Sequence, residues 1–234
     1  MDDHARSVRR MFTSVAPQYD LLNHLLSLNR DHRWRRVATR AALEGLHSPR
    51  VLDLCAGTGD LALEMARQCV GAKVVAADFV VPMLARAAEK IRRAGAAGRI
   101  APLCADALYL PFRAASFDVV TMAFGLRNLS PVERALDEAA RVLRPGGRIV
   151  ILEFSMPLPG LWRRVYAFYF FRVLPKIGRW VSGTSAYSYL PASVALFHEP
   201  ERLAEGLAQH GFVDAHWQPL TGGVVAVHSA RRSP

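Results

Sequence analysis

The sequence is short of cysteine, of lysine and of long uncharged apolar runs, and each shortage closes off a class of protein. Its three cysteines, Cys55, Cys69 and Cys104, form no CxxC pair and no evident metal-ligand spacing, and an odd number does not build a disulfide framework. They read as reduced thiols, and no metal is expected. The opening MDDHARSVRRMF lacks the apolar stretch of about 7–15 residues that a secretory signal needs, and no later stretch of about 18 residues is both free of charge and predominantly apolar. A cytoplasmic chain that does not span a membrane is expected. Of its 30 lysines and arginines only three are lysine, a ratio that resembles the coding bias of a GC-rich genome. Such bias explains the choice of arginine over lysine, not the excess of positive charge. A net charge of +10 invites a polyanionic partner, either nucleic acid or anionic lipid. What is plentiful is apolar surface: 51% of 234 residues, enough for one domain around one sizeable core.

From Arg50 to Phe154 short β-branched runs alternate with amphipathic stretches, the pattern of βαβ units and a parallel sheet. Strands are expected at Arg50–Cys55, Lys73–Asp78, Ile100–Ala105, Phe117–Ala123 and Arg148–Glu153. Helices are expected at Leu61–Gln68, Val81–Ala94 and Pro131–Leu143, the last ended by a turn at Arg144–Gly147 (RPGG). Residues 1–46 read as helical and basic. Leu161–Trp180 mixes seven aromatics with Arg163, Arg164, Arg172, Lys176 and Arg179 and holds no acid. Pro200–Gln209 reads as a helix, and Gly211–Gln218 and Gly222–His228 as strands, the second antiparallel.

VLDLCAGTGD (Val51–Asp60) carries the strongest chemical signal. An apolar strand ends in a turn containing Gly57 and Gly59, and the turn opens a helix, so backbone can approach a ligand closely. The spacing is not the GxGxxG of a dinucleotide site. It resembles the first motif of S-adenosylmethionine-dependent methyltransferases, in which a strand carboxylate, here Asp53, and the loop backbone hold the amino-acid end of the cofactor. Cys55 stands where many such loops carry their first glycine. Asp78, with Phe79 after it, ends the next strand about 20 residues on, where a carboxylate can accept hydrogen bonds from ribose hydroxyls. Asp106 and Ala107, in CADALYLPF, resemble the segment that contacts the adenine.

Further stretches narrow the resemblance to the ubiquinone/menaquinone biosynthesis C-methyltransferase family: FTSVAPQYDLLNHLLSLNRDHRWRR, FGLRNL, VLRPGGRIVILEFSMP, VLPKIG, YSYLPASVALF and LTGGVVAVH. They follow the family's order over nearly the whole chain. The resemblance implies an α/β class I methyltransferase fold: a Rossmann-like, mostly parallel sheet with helices on both faces and an antiparallel final strand. It implies one domain, with a helical lid (1–46), a cofactor core (50–154), a substrate- or membrane-facing insertion (158–198) and a C-terminal helix and strands (199–234). The implied reaction is C-methylation of a prenylated quinol, demethylmenaquinol ahead of 2-polyprenyl-6-methoxybenzoquinol.

That chemistry needs a phenolate, because a quinol hydroxyl with a pKa near 10 must ionise before the ring carbon attacks a methyl group. Arg127 and Asn128, after the fourth strand, are the catalytic candidates: Arg127 to stabilise the phenolate or polarise a water, Asn128 to orient that water or the quinol oxygen. The bland alternatives are a surface salt bridge and a turn. Tyr19, Asp53, Gly57, Thr58, Gly59, Asp78, Phe79, Asp106, Ala107 and Ala123 are the cofactor candidates, with Tyr19 and Asp20 in the lid. Tyr187 and Tyr189 are the substrate candidates, or else packed aromatics. His24, His198 and His228 are weak candidates for a base. Leu161–Trp180 suits either an interfacial helix at the inner face of the cytoplasmic membrane or a buried or homodimer-forming helix. A nucleic-acid methyltransferase is disfavoured: no [DN]PP[YF] follows the fourth strand, and no Pro-Cys pair is present. A non-catalytic cofactor-binding subunit is disfavoured because FGLRN and the Tyr187–Tyr189 segment are retained.

Overall fold

Three helices precede the first strand of a computed structural model that describes residues 3–182, 186–197 and 199–234, but not the side chains at 179, 181–182 and 186–188. They are α1 (Asp3–Val15), α2 (Tyr19–Leu26) and α3 (Arg30–Leu43). The alternating part follows as β1 (Arg50–Leu54), α4 (Asp60–Gln68), β2 (Lys73–Asp78), α5 (Val81–Arg93), β3 (Ile100–Cys104), β4 (Phe117–Ala123), α6 (Val132–Val142) and β5 (Leu143–Phe154). A helical excursion then runs through α7 (Leu161–Phe168), a π-helical turn (Tyr169–Val173), α8 (Leu174–Ser182) and α9 (Ala186–Leu196). The chain closes with α10 (Pro200–Gln209), β6 (Phe212–Leu220) and β7 (Val225–Arg232).

The strands form one sheet in the order β3-β2-β1-β4-β5-β7-β6. β7 runs antiparallel to both its neighbours, while β1 to β5 are parallel. Successive residues of β4 and β5 point to opposite faces. Val119, Val150 and Leu152 join a core built with α3 and α4, whereas Val120, Met122, Ile149 and Ile151 join one built with α6 and α10. Burial on both faces explains why these strands read as unbroken apolar runs rather than alternating ones. The class I methyltransferase architecture expected from the sequence is the one found. Among the described residues no helix is long and apolar enough to cross a membrane.

Two local expectations need correction. RPGG at Arg144–Gly147 is not a separate turn; α6 ends at Val142 and β5 begins at once, with Leu143 paired to Phe117 and a register shift before Val119. Gly146 takes φ +72° there, a bulge conformation that glycine adopts without steric cost. The last strand begins at Val225 rather than Gly222, because Thr221–Gly223 forms a short 3-10 turn.

The order of strands reverses direction at β1 and β4, so α4 and α6 leave on opposite faces and a crevice opens at the carboxyl ends of these two strands. The helical excursion covers one side of that opening. Its inner face stacks Tyr166 on Phe170 at 5.2 Å between ring centres, and Phe170 reaches Phe154 at 6.2 Å. Phe170→Ala should therefore lower stability by about 3–5 kcal/mol, read as a shift of the urea midpoint. A shift equivalent to less than about 1 kcal/mol would mean that this helix is not anchored to the sheet through Phe170.

Candidate functional site

Two bulky residues at the neighbouring strand ends occupy the left-handed region: Cys55 after β1 (φ +55°) and Phe124 after β4 (φ +58°). Each carries steric strain on the order of 1–2 kcal/mol, and strain of this kind concentrates at functional sites. Cys55 thus adopts the backbone of the glycine that many such loops carry. Gly57 (φ +56°) has nothing within 4 Å of where a Cβ would stand, and so offers an open cradle. Gly59 (φ +82°) caps α4, and a Cβ there would meet that of Ala87 at 3.2 Å.

The carboxylates of β1 and β2 shape this loop. Asp78 accepts hydrogen bonds from the backbone N–H of Gly57 and of Val80, both at 2.8 Å, tying the two strand-end loops together. Asp53 and Thr121 are register partners on adjacent strands, and the Thr121 hydroxyl donates to Asp53 Oδ1 at 2.7 Å. Asp53 Oδ2 is buried without a hydrogen-bond partner. Burial is the main cause that raises the Asp53 carboxyl to about 7; the Thr121 hydroxyl pulls it down and the Asp78 charge pushes it up. Asp78 is also raised by burial, against the pull of its backbone donors. These features fit S-adenosylmethionine. The free Asp53 oxygen suits an ammonium group, Gly57 leaves room above the loop, and Asp78 keeps unused lone pairs for hydroxyls.

Phe79, Ala123, Gly57, Asp78 and Asn128 line one side of the crevice, and Asp53, Thr58 and Ala123 the other. Asp106 and Ala107 are not among the residues that line it, although the Asp106 charge acts on Cys55, which does line it. The Asp106 carboxylate instead accepts from the Leu108 N–H at 2.9 Å, and Ala107 is packed away from solvent. Tyr19 borders both sides of the crevice. The lid that carries it is pinned by charges: Asp20 accepts from the Thr58 hydroxyl at 2.5 Å and from Lys90 Nζ at 2.7 Å. Lys90 also pairs with Asp60, which lies 3.4 Å from Arg35, and Arg35 pairs with Asp31. Asp60 closes VLDLCAGTGD and Asp31 and Arg35 lie in the lid stretch, but nothing local in the sequence pairs them, and Lys90 lies in no motif.

Tyr19 and Phe124 also border a second, larger cavity of about 240 Å³. Its wall is mainly apolar and rich in aromatics, including Phe12, Trp34, Phe154, Tyr166 and Phe170, with Arg30, Asp31 and Arg35 also in it. Arg127 and Tyr189 line it, whereas Asn128 lines the crevice instead. Arg127 is buried, with one guanidinium nitrogen donating to Glu153 at 2.7 Å and to the Phe124 carbonyl at 2.5 Å. Its Nε donates to Ser193 at 3.2 Å, and the group lies 5.4 Å from the Phe154 ring centre. Glu153 is the functional residue that sequence reasoning missed; the available signal was a lone acid in the apolar run RIVILEF. Asn128 donates to the Phe124 carbonyl, while its Oδ1 is buried without a partner. The hydroxyls of Tyr19 and Tyr189 are both raised by burial. The Tyr187 side chain and His198 lie outside the described residues. His228 sits within β7 and contacts the Pro200 carbonyl at 3.0 Å, away from both cavities. His24 pairs with Asp31 at 2.7 Å and stacks on His32. Asp31, held to about 2 chiefly by Arg35 against the cost of burial, is too weak a base for phenol chemistry.

The model of the ubiE/COQ5 methyltransferase family matches residues 1–232. The demethylmenaquinone methyltransferase of Thermus thermophilus is 51% identical over 95% of this chain and 100% of its own length. The ubiquinone/menaquinone biosynthesis C-methyltransferase UbiE of Geobacter sulfurreducens is 42% identical over 99% of this chain and 91% of its own. Among solved structures, the [4+2]-cyclase SpnF superposes with a TM-score of 0.71 over 97% of this chain and 95% of its own, at 19% identity, a likeness of fold alone.

An ammonium group placed beside Asp53 favours the charged carboxylate, so cofactor binding should expel a proton wherever the free protein holds one, below about pH 7. Titration calorimetry at pH 6 in buffers of different ionisation enthalpy should show close to one proton released, and none for Asp53→Asn. The same group carries a stability signature. The native chain keeps a proton that the unfolded chain loses near pH 4, so this contribution to stability falls as pH rises from about 4 to about 7. Asp53→Asn should flatten that slope in urea titrations, and an unchanged slope would refute the assignment.

Proposed function

Because the chain belongs to the ubiE/COQ5 methyltransferase family, we propose that it methylates a ring carbon of a prenylated quinol, with demethylmenaquinol as the substrate. The chain is a methyltransferase, and S-adenosylmethionine is its methyl donor. The observation that carries the substrate reading is the meeting of two unlike cavities at Tyr19 and Phe124. One is a narrow crevice with carboxylates and bent loops; the other is aromatic, with Arg127 in its wall. An aromatic ring with an apolar tail suits the second, and its junction with the first is where ring carbon and methyl group would meet.

When bound, S-adenosylmethionine supplies an electrophilic methyl group on a sulfonium. The chain's own residues supply the nucleophile's environment. Arg127, held in place by Glu153 and the Phe124 carbonyl, presents positive charge to the quinol oxygen and favours its ionised form. The aromatic wall excludes water and strengthens that interaction. Tyr189 borders the same space and is assigned to the quinol oxygen as a hydrogen-bond donor. Asn128, with its unpartnered oxygen in the crevice lining, is assigned to the cofactor side of the junction. Asp53, Gly57, Thr58, Asp78 and Phe79 are assigned to the cofactor. A polyprenyl tail partitions into lipid, which supports work at a membrane surface, on this reading the inner face of the cytoplasmic membrane.

Purified chain with methyl-labelled S-adenosylmethionine should label a short-tailed demethylmenaquinol faster than the matching methoxybenzoquinol. The reverse order would favour the benzoquinol reading, and label in neither, with the cofactor still binding, would sink both. Removing Arg127 alone would strand the buried Glu153 charge, at a cost of about 3–5 kcal/mol. The paired change Arg127→Gln/Glu153→Gln avoids that penalty. It should lower kcat by about 10²- to 10³-fold with little change in cofactor affinity, and an unaltered kcat would remove Arg127 from the mechanism.

A further inference from the structure

The helix that closes the large cavity has two apolar faces, and only one of them is used. Tyr166, Phe170 and Leu174 turn inward and are buried. Leu161, Val165 and Phe168, at i, i+4 and i+7, form a stripe on the other face and are 78%, 53% and 64% exposed. The lid repeats the arrangement on a second element. Leu22 and Leu26 are buried, while Leu21 and Leu25, at i and i+4 on α2, are 61% and 47% exposed, and Leu28, in the turn that follows α2, is 75% exposed. A water-facing helix has no use for a second apolar stripe, and contiguous exposed apolar surface marks an interaction site.

The two elements meet. The Tyr169 hydroxyl donates to the Leu26 carbonyl at 2.8 Å. Leu28 and Trp162 both line the large cavity and are exposed, so they mark its mouth between the two stripes. Charge selects the occupant of this surface. Residues 154–198 hold Arg163, Arg164, Arg172, Lys176 and Arg179 and no acid; Arg163, Arg164, Arg172 and Lys176 are exposed, as is Arg30 beside the mouth. Two copies of the chain packed face to face through these stripes would oppose cation to cation. An anionic bilayer accepts both the leucines and the arginines.

We propose that the exposed stripes of α2 and α7 insert together into an anionic bilayer, with the flanking cations on lipid phosphates and the cavity mouth opening toward the acyl chains. A prenylated substrate then slides sideways from lipid into the cavity without crossing water; this entry route, unlike the docking itself, rests on the quinol reading.

The test is sedimentation with vesicles of phosphatidylcholine containing phosphatidylglycerol, and with pure phosphatidylcholine vesicles. The unaltered chain should bind the anionic vesicles, more weakly as salt rises, and should bind the neutral ones poorly. Leu161→Gln/Val165→Gln/Phe168→Gln, none of which lines the cavity, should weaken binding at least about tenfold, the loss expected when exposed apolar anchors are removed. Its melting temperature should be unchanged. It should keep its turnover of a short-tailed quinol in solution and lose turnover of a long-tailed quinol held in vesicles. Arginine changes on the rim (Arg163→Gln/Arg164→Gln) should weaken the preference for anionic lipid while preserving the fold. Equal vesicle binding by the triple variant and the unaltered chain would overturn the proposal. So would a stable dimer that the triple variant converts to monomer, since the stripes would then belong to a second copy. Vesicle binding is read without turnover. Failure of the unaltered chain on every quinol would therefore sink the quinol reading and leave the docking result standing.

Discussion

The pairing of Asp53 with Thr121 at the centre of an apolar parallel sheet is the constraint on which the site depends. β1 is buried on both faces, so a carboxylate in it has no water and must take its hydrogen bond from the adjacent strand. One oxygen is left unsatisfied, and burial, against the pull of Thr121, raises the carboxyl to about 7, so that it is still partly protonated near neutral pH. The loop beyond it cannot relax outward either, because Asp78 on the next strand grips Gly57 by its backbone. Left-handed backbone at Cys55 and Phe124 marks two neighbouring strands that turn sharply at the same carboxyl end of the sheet.

The site divides by solvent chemistry. The Asp53 and Asp78 carboxylates and the glycine-loop backbone gather in the crevice, whereas the larger cavity gathers most of the aromatic rings. Tyr19 stands at the boundary and touches both. Its helix is fixed by the chain of charges Asp20, Lys90, Asp60, Arg35 and Asp31, which joins the lid to α4 and α5. Partly buried ion pairs of this kind add little net stability, since desolvation offsets attraction. What they supply is position: each charge accepts few alternative partners, so the lid has one register over the loop.

Arg127 and Glu153 follow the same logic inside the aromatic wall. A lone guanidinium there would be costly to bury; a pair held at 2.7 Å between the strand-four loop and β5 is tolerable. Fixing Arg127 by three acceptors also means that it need not reorganise when charge develops on a substrate oxygen. On the proposed reading Glu153 acts as a positioning residue for Arg127 rather than as a second reactive group.

Much of this was legible in the chain because it is local. The βαβ alternation, the glycine loop after β1 and the carboxylates at the ends of β1 and β2 depend on spacing within a few residues, and the structure reproduces them. The RPGG bulge was misread because only strand pairing with Phe117 shows that the segment is already part of β5. The Arg127–Glu153 pair, Lys90 with Asp20 and the Thr121 partner of Asp53 join residues 26, 70 and 68 positions apart. Periodicity carries no information at those distances, since which strands abut is decided by the packing of the whole sheet. The same holds for the outer stripes of α2 and α7: the sequence left Leu161–Trp180 open between an interfacial and a buried helix, and only the assembled fold decides which face is left to the outside. Sequence by itself thus determined the architecture, the cofactor loop and the class of chemistry. Tertiary structure decided which charges meet, where the two cavities join and which apolar surface stays uncovered, because burial is a property of the assembled layers and not of any one segment.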